Sequence, residues 1–255
     1  MKKMKALVLT GDGINCENET ALAFTEQGFE SKVFHISQLL NNPSILNEFH
    51  VLAFPGGFSF GDEINSGQIM AIKVENKLKN AIEKFRKDQK LVIGICNGFQ
   101  ILVKLGLLPD PDRIRTLTLT HNRQHHFINN WSYVIAEPSV CHWTRGLENS
   151  EFQLPIRHGE GRIVFAGPPE EQNKHYQYLV QNKQVVLRYK TDVNGSFERI
   201  AGLTDPSGCI LGLMPHPEAA TTELLLPDET IKINKMYTGA ILFQNAMKYC
   251  QEKFS

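Results

Sequence analysis

The chain has 255 residues, of which 42% are hydrophobic and 21% charged, and its 27 basic side chains balance its 27 acidic ones. These values predict an ordinary globular protein with one domain over residues 1–255. They argue against a chain drawn to nucleic acid or to an anionic membrane by its net charge.

The cysteines indicate a reducing compartment. There are five of them, they are scattered through the chain, and they include no Cys-x-x-Cys pair. That pattern favours free thiols over a disulfide framework or a zinc knuckle. The apolar run at residues 6–9 is too short for a signal peptide or a membrane span. We therefore expect a cytoplasmic protein.

The first third of the chain alternates between two kinds of segment. Residues 6–10 predict a first, buried strand, and residues 31–35 and 50–54 predict a second and a third strand, whereas residues 15–27 and 67–87 predict helices. This alternation predicts an α/β fold in which helices cover both faces of a parallel sheet.

The next segment, residues 90–105, combines a strand, a sharp turn and a helix. An apolar run reaches Gly94-x-Cys96-x-Gly98, and apolar residues then recur at helical spacing. This is the form of a nucleophile elbow. A cysteine there lies beside unpaired helix N–H groups, which favour a thiolate and can bind an oxyanion. The alternative is a buried structural cysteine between two turn glycines.

A second turn, Pro55-Gly56-Gly57, follows the third predicted strand. Ligands of parallel sheets bind outside the carboxyl ends of the strands, so this turn and Cys96 face one crevice if their strands are neighbours. The backbone N–H groups of Gly57 and Asn97 are then the predicted oxyanion donors. The alternative is an ordinary tight turn.

Among nine histidines, His216 stands out because Pro215 and Pro217 flank it and Glu218 lies two residues later. Prolines favour an extended backbone, in which residues two apart point the same way. Glu218 can then orient one ring nitrogen while the other faces a thiol. The alternative is a histidine in a proline-rich surface loop with an unrelated glutamate.

The rest of the chain gives weaker patterns. Residues 113–184 are richer in short extended pieces and turns than the segments before them. The remaining predicted elements are a hairpin of residues 184–189 and 198–203 joined through Asn194-Gly195, a strand at 209–214 and a helix at 235–253.

Together these motifs resemble the class I, or triad, glutamine amidotransferases. The matching residues are Pro55-Gly56-Gly57, Gly94-x-Cys96-x-Gly98-x-Gln100 and His216-x-Glu218, in that order. Segments 55–62, 94–100, 158–161 and 214–218 are similar to the glutaminase subunits of phosphoribosylformylglycinamidine synthases. The resemblance runs from about residue 5 to residue 245. It implies a flavodoxin-like three-layer α/β sandwich with a mostly parallel central sheet.

The resemblance also implies the roles of the site residues. Cys96 would be the nucleophile, His216 the general acid and base, and Glu218 the group that orients the histidine. Gly57 and Asn97 would donate to the oxyanion, and Gln100 would help to hold the substrate. The implied reaction converts glutamine and water into glutamate and ammonia through a thioester.

The implied partners are a synthetase subunit and a small accessory subunit. The synthetase would use ATP and the ammonia to convert formylglycinamide ribonucleotide into its amidine in purine biosynthesis. ATP and magnesium would belong to that partner, so no cofactor or metal is expected in this chain.

Two other functions stay open at this point. One is a different cysteine hydrolase of the same kind, either another triad amidotransferase or a γ-glutamyl hydrolase. The other is a catalytically silent subunit that scaffolds a synthetase.

The chain departs from the family pattern at three places outside the triad. Ala219 replaces a frequent arginine, Asn65-Ser66 replaces Arg-Ala, and residues 122–127 replace Asn-x-Ser-x-Arg-Phe. These departures concern the partner interface. The sequence assigns no role to residues 221–232 and gives no subunit stoichiometry.

Two pairs of residues that contain histidine are also considered as sites. His125 and His126 have no acidic or cysteine partner at metal-ligand spacing, so no metal site is predicted there. His158 and Glu160 either line the crevice or form a structural turn.

Overall fold

A computed structural model describes residues 3–112, 114–227 and 238–255. Its strands are β1 (Lys5–Thr10), β2 (Glu30–His35), β3 (Val51–Phe54), β4 (Leu91–Ile95), β5 (Leu117–Thr120), β6 (Ile128–Ala136), β7 (Glu151–His158), β8 (Arg162–Phe165), β9 (Val185–Tyr189), β10 (Ile200–Thr204) and β11 (Ile210–Leu213). Its α-helices are α1 (Glu17–Glu26), α2 (Ile36–Asn41), α3 (Gln68–Lys87), α4 (Asn97–Lys104), α5 (Pro169–Gln181) and α6 (Ala240–Phe254).

One large sheet dominates the described residues, with strand order β2-β1-β3-β4-β11-β10-β9-β6-β7. Every pairing from β2 to β11 is parallel, and every pairing from β11 to β7 is antiparallel. All the strands except β10 and β6 therefore run in one direction, which confirms the predicted mostly parallel sheet. We call β2, β1, β3, β4 and β11 the parallel half, and β10, β9, β6 and β7 the antiparallel half.

Helices cover both faces of the parallel half. The chain leaves β1 for β2 at the edge and then returns past β1 to β3. Because such crossovers are right-handed, the reversal places α1 on one face and α2 and α3 on the other. The ring of Phe24 in α1 meets that of Phe243 in α6 at 4.9 Å, so α6 joins the α1 layer. This arrangement is the predicted three-layer sandwich.

Strand β7 lies much closer to the parallel half than the strand order implies. It is four positions from β11, and four spacings of about 4.8 Å would separate the two strands by about 19 Å in a flat sheet. Yet the backbone N–H of His216, just after β11, donates to the carbonyl of Pro155 in β7 at 2.8 Å. The antiparallel half therefore curls over the carboxyl ends of the parallel strands.

Helix α5 is the clearest element that sequence reasoning missed, since residues 113–184 were expected to be richer in short extended pieces and turns. Within α5, Leu179 is the residue that is buried, so the helix has no apolar stripe to reveal its period. Its signals are instead Pro169 in the first turn and the acidic residues Glu170 and Glu171, which favour a helix N-terminus.

The predicted hairpin forms, but not with its predicted turn. Strands β9 and β10 pair antiparallel, and the connection spans residues 190–199. Asn194 lies fully buried in that connection, where its Oδ1 accepts a hydrogen bond from the Ser196 N–H at 3.1 Å. A buried side chain that stabilises a longer loop therefore replaces the two-residue turn.

The C-terminal predictions are only partly covered. Helix α6 confirms most of the helix predicted at residues 235–253, whereas residues 235–237 lie outside the described residues. The same holds for residues 228–232 of segment 221–232. No helix in the described ranges is long and apolar enough to cross a membrane.

Candidate active site

The predicted elbow lies between β4 and α4. Cys96 has φ 52° and ψ −106°, values that a non-glycine residue rarely adopts outside strained turns. Close packing enforces this turn, because a Cβ on Gly98 would lie 1.9 Å from the carbonyl oxygen of Phe54 in β3. The thiol is therefore presented at the carboxyl edge of the sheet while remaining largely buried.

His216 reaches Cys96 because their strands are neighbours. Leu213 of β11 pairs with Ile95 of β4 in parallel register, so the residues that follow them emerge side by side. The His216 ring and the Cys96 thiol line one cavity and interact electrostatically. His216 Nε2 is buried and, among the described residues, has no partner with full hydrogen-bond geometry. Such bonds are often long in free enzymes and tighten when substrate binds.

Glu218 binds the other nitrogen of the ring. His216 Nδ1 and Glu218 Oε1 lie 2.6 Å apart, and both side chains are buried. The extended segment predicted for these residues is wrong, because Pro217–Ala219 forms a 3₁₀ turn. The turn still brings the carboxylate onto Nδ1, so the three predicted triad residues form one connected group.

The electrostatics favour a charged imidazolium. Burial opposes charge on His216, but the Glu218 carboxylate and the contacts with thiols outweigh it and raise the pKa of His216 well above its ordinary value. A histidine in this state can stabilise a thiolate and can later protonate a leaving group.

The antiparallel half adds a contact that sequence reasoning missed. The Cys96 thiol donates to the backbone carbonyl of Arg157, near the end of β7, at 3.6 Å. Since the contact uses a carbonyl, no residue type marks it in the sequence. It shows that the curl of the sheet supplies a wall for the nucleophile.

The two predicted oxyanion donors lie in suitable places. Gly57 lines the same cavity as Cys96 and has φ 137°, a conformation that favours glycine. Asn97 begins α4, where backbone N–H groups lack intrahelical acceptors. The side chain of Asn97 points elsewhere and donates to Asp62 Oδ1 at 3.2 Å and to Gln100 Oε1 at 3.0 Å. Its predicted role thus depends on its backbone.

Gln100 makes protein contacts at both ends of its amide. Its Oε1 accepts from Asn97, and its Nε2 donates to the backbone carbonyl of Glu160 at 2.6 Å. The structure therefore shows Gln100 as a bridge from α4 to the turn at residues 158–161. Its predicted contact with glutamine stays a prediction.

His158 belongs to a buried network behind the nucleophile. Its Nδ1 lies 3.0 Å from Asn122 Oδ1, which also accepts from the Gly161 N–H, and its Nε2 lies 3.4 Å from the Tyr189 hydroxyl. Because Asn122 Oδ1 is an acceptor, Nδ1 carries the hydrogen and Nε2 accepts from Tyr189. Burial lowers the pKa of His158 to about 4, so the ring is neutral. Of the two open alternatives for His158, the structural turn is the one observed.

A cavity of about 430 Å³ opens above these groups. Cys96, His216 and Gly57 lie on its wall, as do the oppositely charged residues Glu19 and Arg157. Its size falls within the range of small-molecule sites. A carbonyl compound of amino-acid size can therefore reach the thiol.

Cys16 is a second thiol on the same wall, and sequence reasoning did not connect it with the site. It contacts the His216 ring, and burial raises the pKa of its thiol against the opposing effect of that ring. One feature of the sequence could have connected Cys16 with the site. This cysteine follows the end of β1, at the same edge of the sheet as Cys96.

Cys16, His216 and Glu218 also form a group whose potential metal-ligand atoms lie within 4.8 Å of one another. A metal at His216 Nδ1 would have to displace the Glu218 carboxylate, which already lies 2.6 Å away. We therefore interpret these residues as an acid–base site, and the predicted lack of a metal stays a prediction.

Comparison with known proteins agrees with this geometry. A family profile described as a CobB/CobQ-like glutamine amidotransferase domain matches residues 3–250. The chain belongs to this glutamine amidotransferase family. It is 39% identical over 260 residues to the phosphoribosylformylglycinamidine synthase subunit PurQ of Dehalococcoides mccartyi, and the match covers 99% of this chain and 100% of the relative.

Solved structures give the same result. The PurLQS structure from Thermotoga maritima matches with a TM-score of 0.75 and 33% identity, over 97% of this chain and 99% of the matched chain. A glutamine amidotransferase from Thermotoga maritima matches with a TM-score of 0.52 and 15% identity, over 99% of this chain and 94% of the other. At that identity the second match supports the fold alone.

Proposed function

We propose that this chain is the glutaminase subunit of a phosphoribosylformylglycinamidine synthase. It hydrolyses glutamine to glutamate and ammonia, and the ammonia is used to make formylglycinamidine ribonucleotide in purine biosynthesis. The observation that carries the proposal is the buried Cys96–His216–Glu218 group at the carboxyl edge of the sheet. It occurs in a chain that is similar to PurQ subunits over nearly its whole length.

The first half of the reaction forms a thioester. The Cys96 thiolate attacks the side-chain amide carbon of glutamine, and the negative charge moves to the amide oxygen. The N–H groups of Gly57 and Asn97 stabilise that oxyanion. His216, held in its charged form by Glu218, protonates the amine as the C–N bond breaks, so ammonia leaves.

The second half returns the enzyme to its starting state. His216, now neutral, takes a proton from water as the water oxygen attacks the thioester carbon. The C–S bond then breaks, glutamate is released and the Cys96 thiolate is restored. One histidine serves both halves because Glu218 keeps its ring oriented throughout.

The cavity supports an amino acid as the substrate. Glu19 and Arg157 place one charge of each sign on the wall that holds the thiol. These charges complement the ammonium and carboxylate groups that glutamine carries beyond its reactive amide.

The proposal includes a complex with a synthetase subunit and a small accessory subunit. The PurLQS match supports this part. Phe58 and Phe127, each 47% exposed, bring their rings to 6.2 Å at the cavity, which leaves an apolar surface there for a partner. ATP and magnesium are assigned to the synthetase. A cytosolic location suits the five free cysteines.

The test is a reconstitution with the synthetase and accessory subunits. We expect Cys96→Ala to abolish amidination from glutamine while amidination from free ammonia continues, because only the glutaminase step needs the thiol. The matched control is Cys250→Ala, which removes a buried thiol that does not line the cavity.

Other results would contradict the proposal. Undiminished glutamine-dependent activity with Cys96→Ala would exclude Cys96 as the nucleophile. An unaltered complex that is active with ammonia but inactive with glutamine would favour a silent scaffold. Cleavage of γ-glutamyl peptides without any amidination would favour a γ-glutamyl hydrolase.

A further inference from the structure

Two thiols meet one imidazole in the cavity. The Cys16 sulfur lies within 4.8 Å of a His216 ring nitrogen. Both residues line the cavity wall together with Cys96, which also interacts electrostatically with the ring. The mechanism above needs only one thiol, so Cys16 is left without a function. Its position beside the acid–base group of the site is the observation that needs explaining.

The backbone holds Cys16 at this position. Its N–H donates to the carbonyl of Gly56 at 3.4 Å. A Cβ placed on Gly56 would lie 3.3 Å from Cys16 Sγ and 2.7 Å from His216 Cε1, so the thiol and the ring share the space above this glycine.

The register of the sheet brings Cys96 to the same edge. Phe54 of β3 pairs with Gly94 of β4. Gly56 lies two residues after Phe54, and Cys96 lies two residues after Gly94. Cys16 packs on Gly56, and Cys96 lies at the end of the adjacent strand. The two cysteines, 80 positions apart in the sequence, therefore share one end of the sheet.

The other three cysteines have different surroundings. Cys141, Cys209 and Cys250 are buried and do not line the cavity. The Cys209 sulfur lies 3.3 Å from the Tyr249 hydroxyl, in a different contact. Cys16 is thus the second cysteine of this cavity among the described residues.

We propose that Cys16 is a modification site that traps oxidised Cys96 as an intramolecular disulfide. The oxidant is hydrogen peroxide, which is small enough to enter the open cavity. The disulfide stops glutamine hydrolysis reversibly and prevents further oxidation of the nucleophile. This proposal rests on the proposed role of Cys96 as a nucleophilic thiolate.

The chemistry balances in two steps. The Cys96 thiolate attacks one peroxide oxygen, an S–O bond forms, the O–O bond breaks, and the departing hydroxide takes a proton from His216 to become water. Neutral His216 then removes the proton of the Cys16 thiol. The Cys16 sulfur attacks the Cys96 sulfur, the S–O bond breaks, and the hydroxide leaves as water with the proton from His216. Two thiols are oxidised by two electrons, and one peroxide is reduced to two waters.

The position of His216 beside both thiols lets one ring transfer the protons in both steps of disulfide formation. One ring supplies the proton for the first leaving group, then accepts a proton from Cys16 and passes it to the second. A cysteine elsewhere on the surface would lack that base.

The test exposes the full chain to hydrogen peroxide, blocks the remaining free thiols and maps linked peptides by mass spectrometry without reduction. We expect one linked pair, between the Cys16 and Cys96 peptides, and protection by added glutamine. In the reconstituted complex, dithiothreitol should restore most of the glutamine-dependent activity that peroxide removes. In Cys16→Ser the lost activity should not return, because Cys96 proceeds to irreversible oxidation states.

Each activity is normalised to the untreated activity of the same variant, so any direct effect of Cys16→Ser on turnover cancels. The matched control is Cys141→Ser, which should behave as the unaltered chain does. Sulfinic or sulfonic acid on Cys96 beside free Cys16 in the unaltered chain would overturn the proposal, as would full recovery of Cys16→Ser. Failure of the glutaminase proposal would appear separately, as absent glutamine-dependent activity before any peroxide is added.

Discussion

The two halves of the sheet contribute to the site in different ways. The parallel half carries the reactive side chains, Cys96 after β4 and His216 after β11. The antiparallel half contributes backbone carbonyls, from Arg157 to the thiol and from Pro155 to the His216 N–H. The parallel half thus contributes through the types of its side chains, whereas these two contacts of the antiparallel half depend on the path of its backbone.

This difference has a physical cause. A nucleophile or a base needs a particular side chain, whereas any residue supplies a carbonyl. Variants of the parallel half should therefore change catalysis. Variants of the antiparallel half should chiefly change stability, except at Arg157, whose charged side chain lines the cavity. Four predictions test that division, from the largest effect to the smallest.

The largest effect is expected from His216→Asn in the parallel half. It removes the group that protonates the leaving ammonia, so glutamine-dependent turnover should fall by about 10²- to 10⁴-fold. The measurement is glutamate release in the reconstituted complex. His142→Asn, at a partly buried ring that does not line the cavity, is the control and should stay close to the unaltered rate. Comparable losses in both variants would exclude a specific role for His216.

The next effect concerns acid stability and His158 in the antiparallel half. The pKa of His158 is about 4 in the folded protein and 6.5 in an exposed histidine. Between pH 4 and pH 6.5 this histidine is therefore protonated in the unfolded chain and neutral in the folded one. Stability should therefore fall as pH drops from 6.5 towards 4, by on the order of 3 kcal/mol, with no further loss from this group at lower pH.

Urea unfolding between pH 7 and pH 4 measures that loss. In His158→Gln the slope of stability against pH should become shallower, because glutamine does not titrate. An unchanged slope would show that other groups cause the acid sensitivity.

A smaller effect is expected from Glu218→Gln. Burial disfavours the imidazolium, and the carboxylate that offsets it is lost, so the pKa of His216 should fall. Protonation of ammonia needs the charged ring. The alkaline limb of kcat/KM should therefore move to lower pH, with about a tenfold loss at neutral pH. An unshifted limb would show that Glu218 does not set the charge of His216.

The smallest effect is expected from Gln100→Ala. Gln100 lies in α4, beside the parallel half, and bonds to the turn that follows β7 of the antiparallel half. If Gln100 acts as the bridge to the Glu160 carbonyl, the variant should lose about 1 kcal/mol of stability, with little change in KM for glutamine. Urea unfolding and steady-state kinetics distinguish the two roles. A several-fold rise in KM at unchanged stability would instead support the predicted contact with substrate.

Much of the parallel half could be predicted from local patterns. The strands β3 and β4 are short and buried along their whole length. The turn around Cys96 needs glycine, because a Cβ on Gly98 would lie 1.9 Å from the carbonyl oxygen of Phe54. The His216–Glu218 pair was predictable for the same reason, because Glu218 is only two residues from His216. The predicted extended segment there was wrong, yet a 3₁₀ turn satisfies the same short spacing.

Helix α5 and the Asn194 loop could not be predicted in this way. The helix is mostly exposed, and the loop depends on a buried asparagine whose partners are backbone groups. The hydrogen bonds of Asn122 to His158 and Gly161 are similar, because they join segments more than 30 residues apart. No local period records such contacts.

The sequence by itself determined the α/β class, the elbow and the His216–Glu218 pair, because each depends on residues that are close together in the chain. The meeting of that pair with Cys96 depended on the pairing of β4 with β11. The tertiary structure alone decided the curl of β7 over the site, the neutral state of His158 and the meeting of Cys16 with His216. These features arise when distant segments pack against one another. Burial and register, which only the folded chain possesses, then set their contacts and charges.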